Sequence, residues 1–306
     1  DPGLVDDVGD DELRALYACA NPTIPLPSQL AFALRTLAGF STREIATRLV
    51  TTEENVQKRY ERAREAFQHL DVREELTGPA LQERNVGALR MLYVLFTEGY
   101  FASSGDEVLK LELCEEAIRL TSLIAAHPRL STSAAVALLA LMHLHHARRD
   151  ARVDEQGRPI LLEEQDRGRY HLRELHRGLE LLQAASRDGL TSTFHYEAAI
   201  AAEHAFAPSF AETRWAEVVR LYDALSSIDP SPLHALHAAI AVSYAQDPEA
   251  GLERLASIRP PTWLVGSHLW LATHADLHGR AGHLDHARDL YERAISLAPP
   301  REREVL

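Results

Sequence analysis

Histidine, arginine and acidic side chains crowd three short segments in the middle of the chain. Three histidines and two arginines fall within residues 143–149, polar side chains follow at 164–169, and a histidine lies between two aromatic residues at 194–196. Arginine can bind two carboxylate oxygens with its planar fork, and imidazole can exchange a proton near neutral pH. These residue types predict a pocket for a small-molecule or protein ligand, with arginines suited to an anionic group. Its expected lining residues are Glu98, Tyr100, His145, His146, Arg148, Arg149, Gln165, Asp166, Arg167 and His195.

The same polar residues also have a purely structural interpretation. In that interpretation Arg148 and Arg167 are consumed by ion pairs with acidic side chains, namely Glu98, Glu164 and Asp166. Such pairs would hold the loops in place and leave no cavity. Residue types alone leave both interpretations open.

The chain contains 16 histidines, so a metal site has to be considered. His143 and His146, like His234 and His237, are one helical turn apart, and two such imidazoles can bind one ion. Neither pair lies in an H-E-x-x-H pattern or beside a group of cysteines. The sequence also lacks a phosphate loop, a dinucleotide-binding fingerprint and a nucleophile elbow. We therefore predict no metal and no cofactor, while catalytic residues stay unknown and enzymatic activity stays open.

A second kind of chemistry is suggested nearer the N-terminus. Amide and cationic side chains, which bind base edges and phosphates, recur there at the spacing of one helix face. They are Asn55, Lys58, Arg59 and Arg62. Off that face runs an apolar stripe, which we expect to be buried: Val56, Tyr60, Ala63 and Phe67. The pattern predicts a helix that presents these four polar residues to DNA.

Local signals define the helices that would position this face. A first helix ends near Gly39, Ser41 or Thr42 caps a short second helix, and Thr52 caps a third. Residues 41–67 therefore predict a helix-turn-helix. From 41 to 70 the chain has six basic and five acidic residues, so the net charge of about +1 is small for a module that binds phosphates. A plain three-helix packing unit stays open as the alternative.

The rest of the chain is dominated by helical periodicity, with prolines marking the ends of hairpin-sized segments. Residues 152–162 have the composition of a short β-turn excursion between helices. The last hairpin matches a tetratricopeptide unit at its small, turn, aromatic and proline positions, which are Ala275, Gly282, Ala287, Tyr291, Ala294 and Pro299. The spacing from Tyr291 to Pro299 recurs between Tyr222 and Pro230. We predict a helical-repeat domain.

Composition sets the broad limits. The chain has 306 residues, of which 46% are hydrophobic and 25% charged, as in an ordinary globular protein. Its formal net charge of −13 restricts any DNA contact to a local surface. No apolar run is long enough to span a membrane, and the acidic start does not match a signal peptide. The two cysteines, Cys19 and Cys114, are too few for a disulfide framework, so we expect a cytoplasmic protein with no membrane partner.

Residues 10–67 resemble the linker and upstream-promoter-reading domain of the extracytoplasmic-function sigma factors. The similarity is greatest to the subgroup that carries a long tetratricopeptide-like C-terminal extension. It continues in order through residues 92–105, 113–120, 140–152, 161–171 and 194–205. In such proteins the extension acts as a built-in regulator, so the resemblance implies a DNA-reading domain followed by a controlling domain.

The sequence departs from that family at several points. The domain that grips core RNA polymerase is expected before Asp1 and is absent. Cys19, Ala20 and Asn21 replace a Cys-Cys-His pattern, His146 replaces an Asp, and the pair 237–238 replaces Asn-Arg. Either the sequence is a fragment or the protein has been repurposed.

The sequence thus predicts an all-α protein with a sigma-like helix-turn-helix domain and its linker at 1–76. A tetratricopeptide-like helical-repeat domain would follow at 77–306. The predicted function is that of a sigma-factor-like transcription regulator that reads promoter DNA and is controlled by its C-terminal domain. Its partners would be promoter DNA, core RNA polymerase if the missing domain exists, and a small-molecule or protein ligand of the repeat domain. The alternative is a repurposed sigma-like protein whose repeat domain binds or transforms a small molecule.

Overall fold

Helices make up all the regular secondary structure in the part of the chain that the computed structural model describes. That part comprises residues 10–49, 51–68, 78–102, 108–298 and 303. It contains 15 α-helices, two 3-10 turns and no strand, which confirms the all-α prediction. An isolated β-bridge joins Val153 to Pro159, within the predicted excursion. No helix of this part is both long enough and apolar enough to cross a membrane.

The chain forms two compact units, residues 1–142 and 143–306. The division falls inside a helix, after Met142. The domain boundary predicted at 76/77 lies within residues 69–77, outside the described residues, and stays a prediction.

The described residues of the first unit form six helices and most of a seventh. Their bounds are α1 Asp11–Cys19, α2 Leu26–Thr36, α3 Thr42–Arg48, α4 Glu53–Gln68, α5 Gly78–Tyr100, α6 Leu111–Ala126 and α7 Ser133–His146. Local capping explains where the short helices begin. Ser41 and Glu44 form a capping box at α3, and the Thr52 hydroxyl accepts from the Asn55 N–H at α4, as predicted. Gly39 has a φ of +70° in the turn before α3, a conformation that glycine adopts without strain.

One apolar cluster holds α2, α3 and α4 together. It is formed by Ala31, Leu34, Phe40, Ile45, Ala46 and Val56, with Val94, Leu95 and Leu113 of α5 and α6 packed against it. Of the predicted stripe on α4, Val56 and Ala63 are fully buried. Tyr60 and Phe67 are only half-buried, because the Phe32 ring covers one side of each at centroid distances of 5.6 and 4.6 Å. The expectation that all four are buried therefore holds for two of them.

The second unit continues with eight helices after the end of α7. They are α8 Leu172–Ala185, α9 Thr193–Phe206, α10 Trp215–Ile228, α11 Pro232–Ala245, α12 Pro248–Ala256, α13 Thr262–Val265, α14 His268–Arg280 and α15 Leu284–Leu297. Consecutive helices pack against one another through apolar clusters. Between α14 and α15, Gly282 has a φ of +85°, and Ala275, Ala287 and Ala294 are buried. These small residues let the two helices approach closely.

We expect Gly251→Ala to destabilise the second unit, although alanine favours helix formation. An added Cβ would lie 2.6 Å from Ser243 Cβ and 3.1 Å from the Ala239 carbonyl oxygen, so α11 and α12 would have to separate. The expected loss is about 1–3 kcal/mol in the free energy of unfolding, measured by urea titration. Gly279→Ala is the matched control, because its Cβ would meet Ala287 at an ordinary 3.6 Å. Equal stability of the two variants would contradict this packing.

Candidate functional site

The four residues predicted to contact DNA lie together on the outer side of α4. Asn55, Lys58 and Arg62 are exposed, and Arg59 is half-buried. The opposite side of the helix is anchored through Val56 and Ala63. Because Asn55 is in the first turn of α4, the group extends from the N-terminal end toward the middle of the helix.

Neighbouring charges reduce the positive field of this surface. The Lys58 ammonium lies 2.6 Å from a Glu54 carboxylate oxygen. Arg64 pairs with Glu61 at the same distance. Arg35 of α2 lies over the Tyr60 ring and donates to the Gln57 side chain. Arg59 and Arg62 make no ion pair with any residue that the structure describes, so they supply most of the available charge.

Glu98, predicted to line a pocket, instead joins α5 to α3. Its side chain is 1% exposed, and its carboxylate accepts from Arg48 Nη2 at 2.6 Å and Nε at 3.0 Å. The Lys110 ammonium lies 3.4 Å from the other oxygen. Two residues farther along α5, the Tyr100 ring stacks on Phe96. Both residues thus pack within the first unit, and their meeting with residues of the second unit stays a prediction.

Glu174 of α8 is the centre of a polar network in the second unit. Its oxygens lie 2.7 Å from His146 Nδ1 and 2.8 Å from Arg149 Nη1. The Arg149 guanidinium also donates to the His146 carbonyl and contacts His171. Burial alone would raise the pKa of Glu174, but the imidazoles of His143 and His146 and the charge of Arg149 outweigh it and lower the pKa. The network joins the end of α7 to α8.

Gln165 is the centre of a second network. Its side-chain oxygen accepts from Arg148 Nη2 at 2.9 Å and from the Tyr170 hydroxyl at 3.2 Å. Its amide donates to the Ile160 carbonyl. Arg148 is therefore held by a neutral amide and not by the acidic residues considered as its partners. Burial, followed by the charges of Arg148 and Arg152, lowers the pKa of the nearby His145 well below its ordinary value.

The remaining predicted residues support loops and helix ends. Asp166 accepts from the Gly168 N–H, and Arg167 donates to the Ala207 carbonyl at 2.9 Å. His195 is fully buried, lies 2.7 Å from the Ser192 hydroxyl and 3.2 Å from the Ala185 carbonyl, and so links α8 to α9. None of the ten predicted pocket residues lines any of the three cavities described below. Their assignment to a ligand site stays a prediction.

The second unit does contain a cavity of about 570 Å³, on residues that the sequence did not single out as a site. Its walls come from α9, α10, α11, α14, α15 and the loops at 161–163 and 207–214. Trp215 and Tyr244 stack inside it with ring centroids 4.6 Å apart, and Phe210 is edge-on to both at 5.0 Å. The sequence signals for it were the repeated tyrosine, because both Tyr222 and Tyr291 line the cavity, and His237, which had been considered as a metal ligand.

Two carboxylates and two imidazoles border the same cavity. The carboxylates are Glu163 and Asp276, and burial followed by their negative charges raises the pKa of Tyr291. Burial, then the charges of Arg148 and Arg167, lowers the pKa of His204 to about 4. His237 has exposed surface at the cavity, yet the protein around it also lowers its pKa. The imidazoles are therefore neutral near pH 7, and the ionised groups of the wall are acidic.

The described residues also form two further cavities. One of about 370 Å³ in the first unit is lined mainly by leucine and alanine, with Asp11, Glu12 and Glu116 at its edge. The other, of about 600 Å³, follows α8 and α9 and is crossed by the Arg214–Glu203 ion pair. Among the described residues, no three His, Cys, Asp or Glu side chains converge as ligands for a metal ion.

We expect Glu174→Gln to lower the free energy of unfolding by about 1–3 kcal/mol near neutral pH, because Arg149 loses its charged acceptor. The folded-state pKa of Glu174 is depressed. The stabilisation is therefore present above the unfolded-state pKa of about 4.3 and is lost as the pH falls through the folded-state value. Urea titrations from neutral pH to about pH 3 measure this change. Glu180→Gln, on the exposed side of α8, is the control, and a pH-independent difference would contradict the assignment.

Comparison with known proteins identifies relatives whose activity is not established. Residues 84–186, from within α5 to just beyond α8, match the model of a family of unknown function, DUF6596. An uncharacterized protein of Rhizobium meliloti (strain 1021), R00370, is 35% identical to this chain over 295 residues. The matched region covers 94% of this chain and 68% of the rhizobial protein. No solved structure matches the chain. Because the similarity extends over nearly the whole chain, the protein belongs to the same family as R00370 of Rhizobium meliloti.

Proposed function

We propose that the protein is a sigma-factor-like transcription regulator that reads promoter DNA with α4. In this proposal α3, α4 and the short connection between them form a helix-turn-helix, and α4 is its recognition helix. The observation that carries the proposal is the placement of Asn55, Lys58, Arg59 and Arg62 on the outer side of a helix whose inner side is buried. The predicted resemblance of residues 10–67 to promoter-reading domains is the second support.

The dimensions of the two helices suit this role. α3 has 7 residues and α4 has 16, so α4 is about 24 Å long. A major groove about 12 Å wide accepts a helix of this kind, and residues near the N-terminal end of a recognition helix contact base edges. Asn55 occupies that position, where an amide can bind adenine, and the arginines farther along can bind guanine or phosphate.

Electrostatics predicts weak binding that depends strongly on salt. Each phosphate contact releases counterions, so the affinity of a cationic surface falls steeply as salt rises. Here Lys58 is paired with Glu54, which leaves Arg59 and Arg62 as the main cations. If a polymerase-binding domain exists, contacts with core RNA polymerase would strengthen promoter binding in the sigma-like scheme. The protein would then act in the cytoplasm.

The helical hairpins of the second unit would form the tetratricopeptide-like controlling domain. Support comes from the last hairpin, where Gly282 makes the turn and Ala275, Ala287 and Ala294 are buried between α14 and α15. Stacked hairpins form concave surfaces that hold peptides or small molecules. A ligand bound to such a domain would make promoter reading conditional on a signal.

A second function is favoured by the cavity of about 570 Å³. Pockets of this size hold small molecules. A repurposed sigma-like protein whose repeat domain binds or transforms a small molecule would therefore also account for the second unit. If the unmodified chain does not bind DNA, this function is favoured over promoter reading.

We expect the double variant Arg59→Ala/Arg62→Ala to bind DNA more weakly than the unmodified chain and to show a smaller salt dependence. Each lost phosphate contact should reduce the slope of log K against log salt by about 1, so the slope should fall by up to about 2. Fluorescence anisotropy with a labelled duplex, measured over a range of salt concentrations, gives both quantities.

The matched control is Arg173→Ala/Arg177→Ala, which removes the same charge from the exposed side of α8. This control should keep the slope of the unmodified chain. Melting curves of both double variants check that they are folded. If the α4 variant and the control bind with the same affinity and slope, DNA reading by α4 is excluded.

A further inference from the structure

We propose that the cavity of about 570 Å³ in the second unit binds a small organic cation, an amine on a planar apolar body. The inference goes beyond promoter reading and does not depend on it. It rests on three features of the cavity, which are the faces of its aromatic rings, the sign of its charge and its size.

The aromatic rings provide surfaces that attract cations. Trp215 and Tyr244 stack with an interplanar angle of 21°, and Phe210 is edge-on to both. All three side chains are only partly buried, so they keep surface open to the cavity. Ring faces carry negative potential and bind ammonium and guanidinium groups. Tyr244 already does so within the protein, because the Arg280 guanidinium lies 3.9 Å from its ring centroid.

The charged groups of the wall are complementary to a cation. Asp276 forms an ion pair with Arg280 at 3.3 Å. The Glu163 carboxylate, in contrast, makes no hydrogen bond or ion pair with the residues that the structure describes. Arg280 is further held by the Ser243 hydroxyl and carbonyl, so it is fixed at the edge of the cavity. Counted over the lining residues and Arg280, two carboxylates face one arginine, while Arg148 and Arg167, whose charges act on His204, do not line the cavity.

The imidazoles of His204 and His237 do not change the net charge of the cavity wall. His204 Nδ1 is buried without a hydrogen-bond partner, so protonation there would bury an N–H that has no acceptor. The low pKa of His204 agrees with this geometry. The pKa of His237 is also lowered, mainly by burial. Near pH 7 both rings therefore contribute polar but uncharged surface.

The size of the cavity fits a small molecule better than a protein surface. A volume of about 570 Å³ lies within the range of small-molecule pockets. Helices and loops surround it on several sides. Because Trp215 and Arg280 cover the two faces of Tyr244, an aromatic amine would place its ring against Trp215 and the edge of Tyr244, and its ammonium near Glu163.

The test compares three probes of similar shape and different charge on the full chain, using isothermal titration calorimetry. They are 2-phenylethylamine, 2-phenylethanol and 3-phenylpropanoate, used up to about 10 mM. We expect the amine to bind roughly tenfold more tightly than the alcohol, and the carboxylate to bind least. Equal binding of all three probes, tightest binding of the carboxylate, or no binding of the amine would overturn the proposal.

Variants locate the binding to this cavity. Glu163→Gln should weaken amine binding several-fold and leave binding of the alcohol unchanged, because only the charge is removed. Glu164→Gln is the matched control, since Glu164 is also exposed but does not line the cavity. Amine binding that is equal in both variants would overturn the assignment. Circular dichroism checks folding, and the three probes on the unmodified chain decide the question even if a variant is unfolded.

Discussion

The packing of the first unit depends on the carboxylate of Glu98, which is almost completely removed from water. Burying an ionised group costs several kcal/mol unless opposite charges and hydrogen bonds surround it. Glu98 meets this requirement with Arg48 at the end of α3 and Lys110 before α6. Because Arg48 must reach Glu98, α3 is held against α5, and the apolar cluster around Ile45 and Val56 then positions α4. The outer face of α4, on which the proposed DNA contact depends, is a consequence of this buried pairing.

The second unit uses its polar residues in a similar way and leaves its open surface elsewhere. Glu174 and Gln165 bind arginine and histidine side chains that the sequence suggested as pocket residues. These contacts connect the loops after α7 to α8. The cavity is formed instead by aromatic residues such as Trp215 and Tyr244, which stack on each other while keeping surface exposed.

The two proposed surfaces are also opposed in charge. The proposed DNA affinity of the α4 face would come from a few arginines within a chain of net charge −13, so repulsion from the rest of the protein would weaken it. The cavity has a negative wall and would attract cations. A regulator with these properties would respond to an organic cation in one unit and bind DNA through the other.

Local interactions were readable in the sequence. Helix periodicity, the caps at Ser41 and Thr52 and the turn at Gly282 each depend on residues a few positions apart, and all three are present in the structure. Tyr60 and Phe67 were expected to be buried, but the width of α2 leaves them partly exposed. Periodicity identifies which side of a helix is apolar and does not tell how far a neighbour covers it.

Long-range pairing was decided only by the tertiary structure. Arg148 bonds to Gln165 and Glu98 to Arg48, although residue types alone suggested that acidic side chains would meet Arg148 and that Glu98 would line a pocket. Trp215, Tyr244 and Glu163 come from separate segments, and no spacing along the chain links them. The sequence by itself determined an all-α protein and its capped helices, because those depend on neighbours in the chain. The partners of buried charges and the position of the cavity depend on which helices pack together, and only the fold determines that.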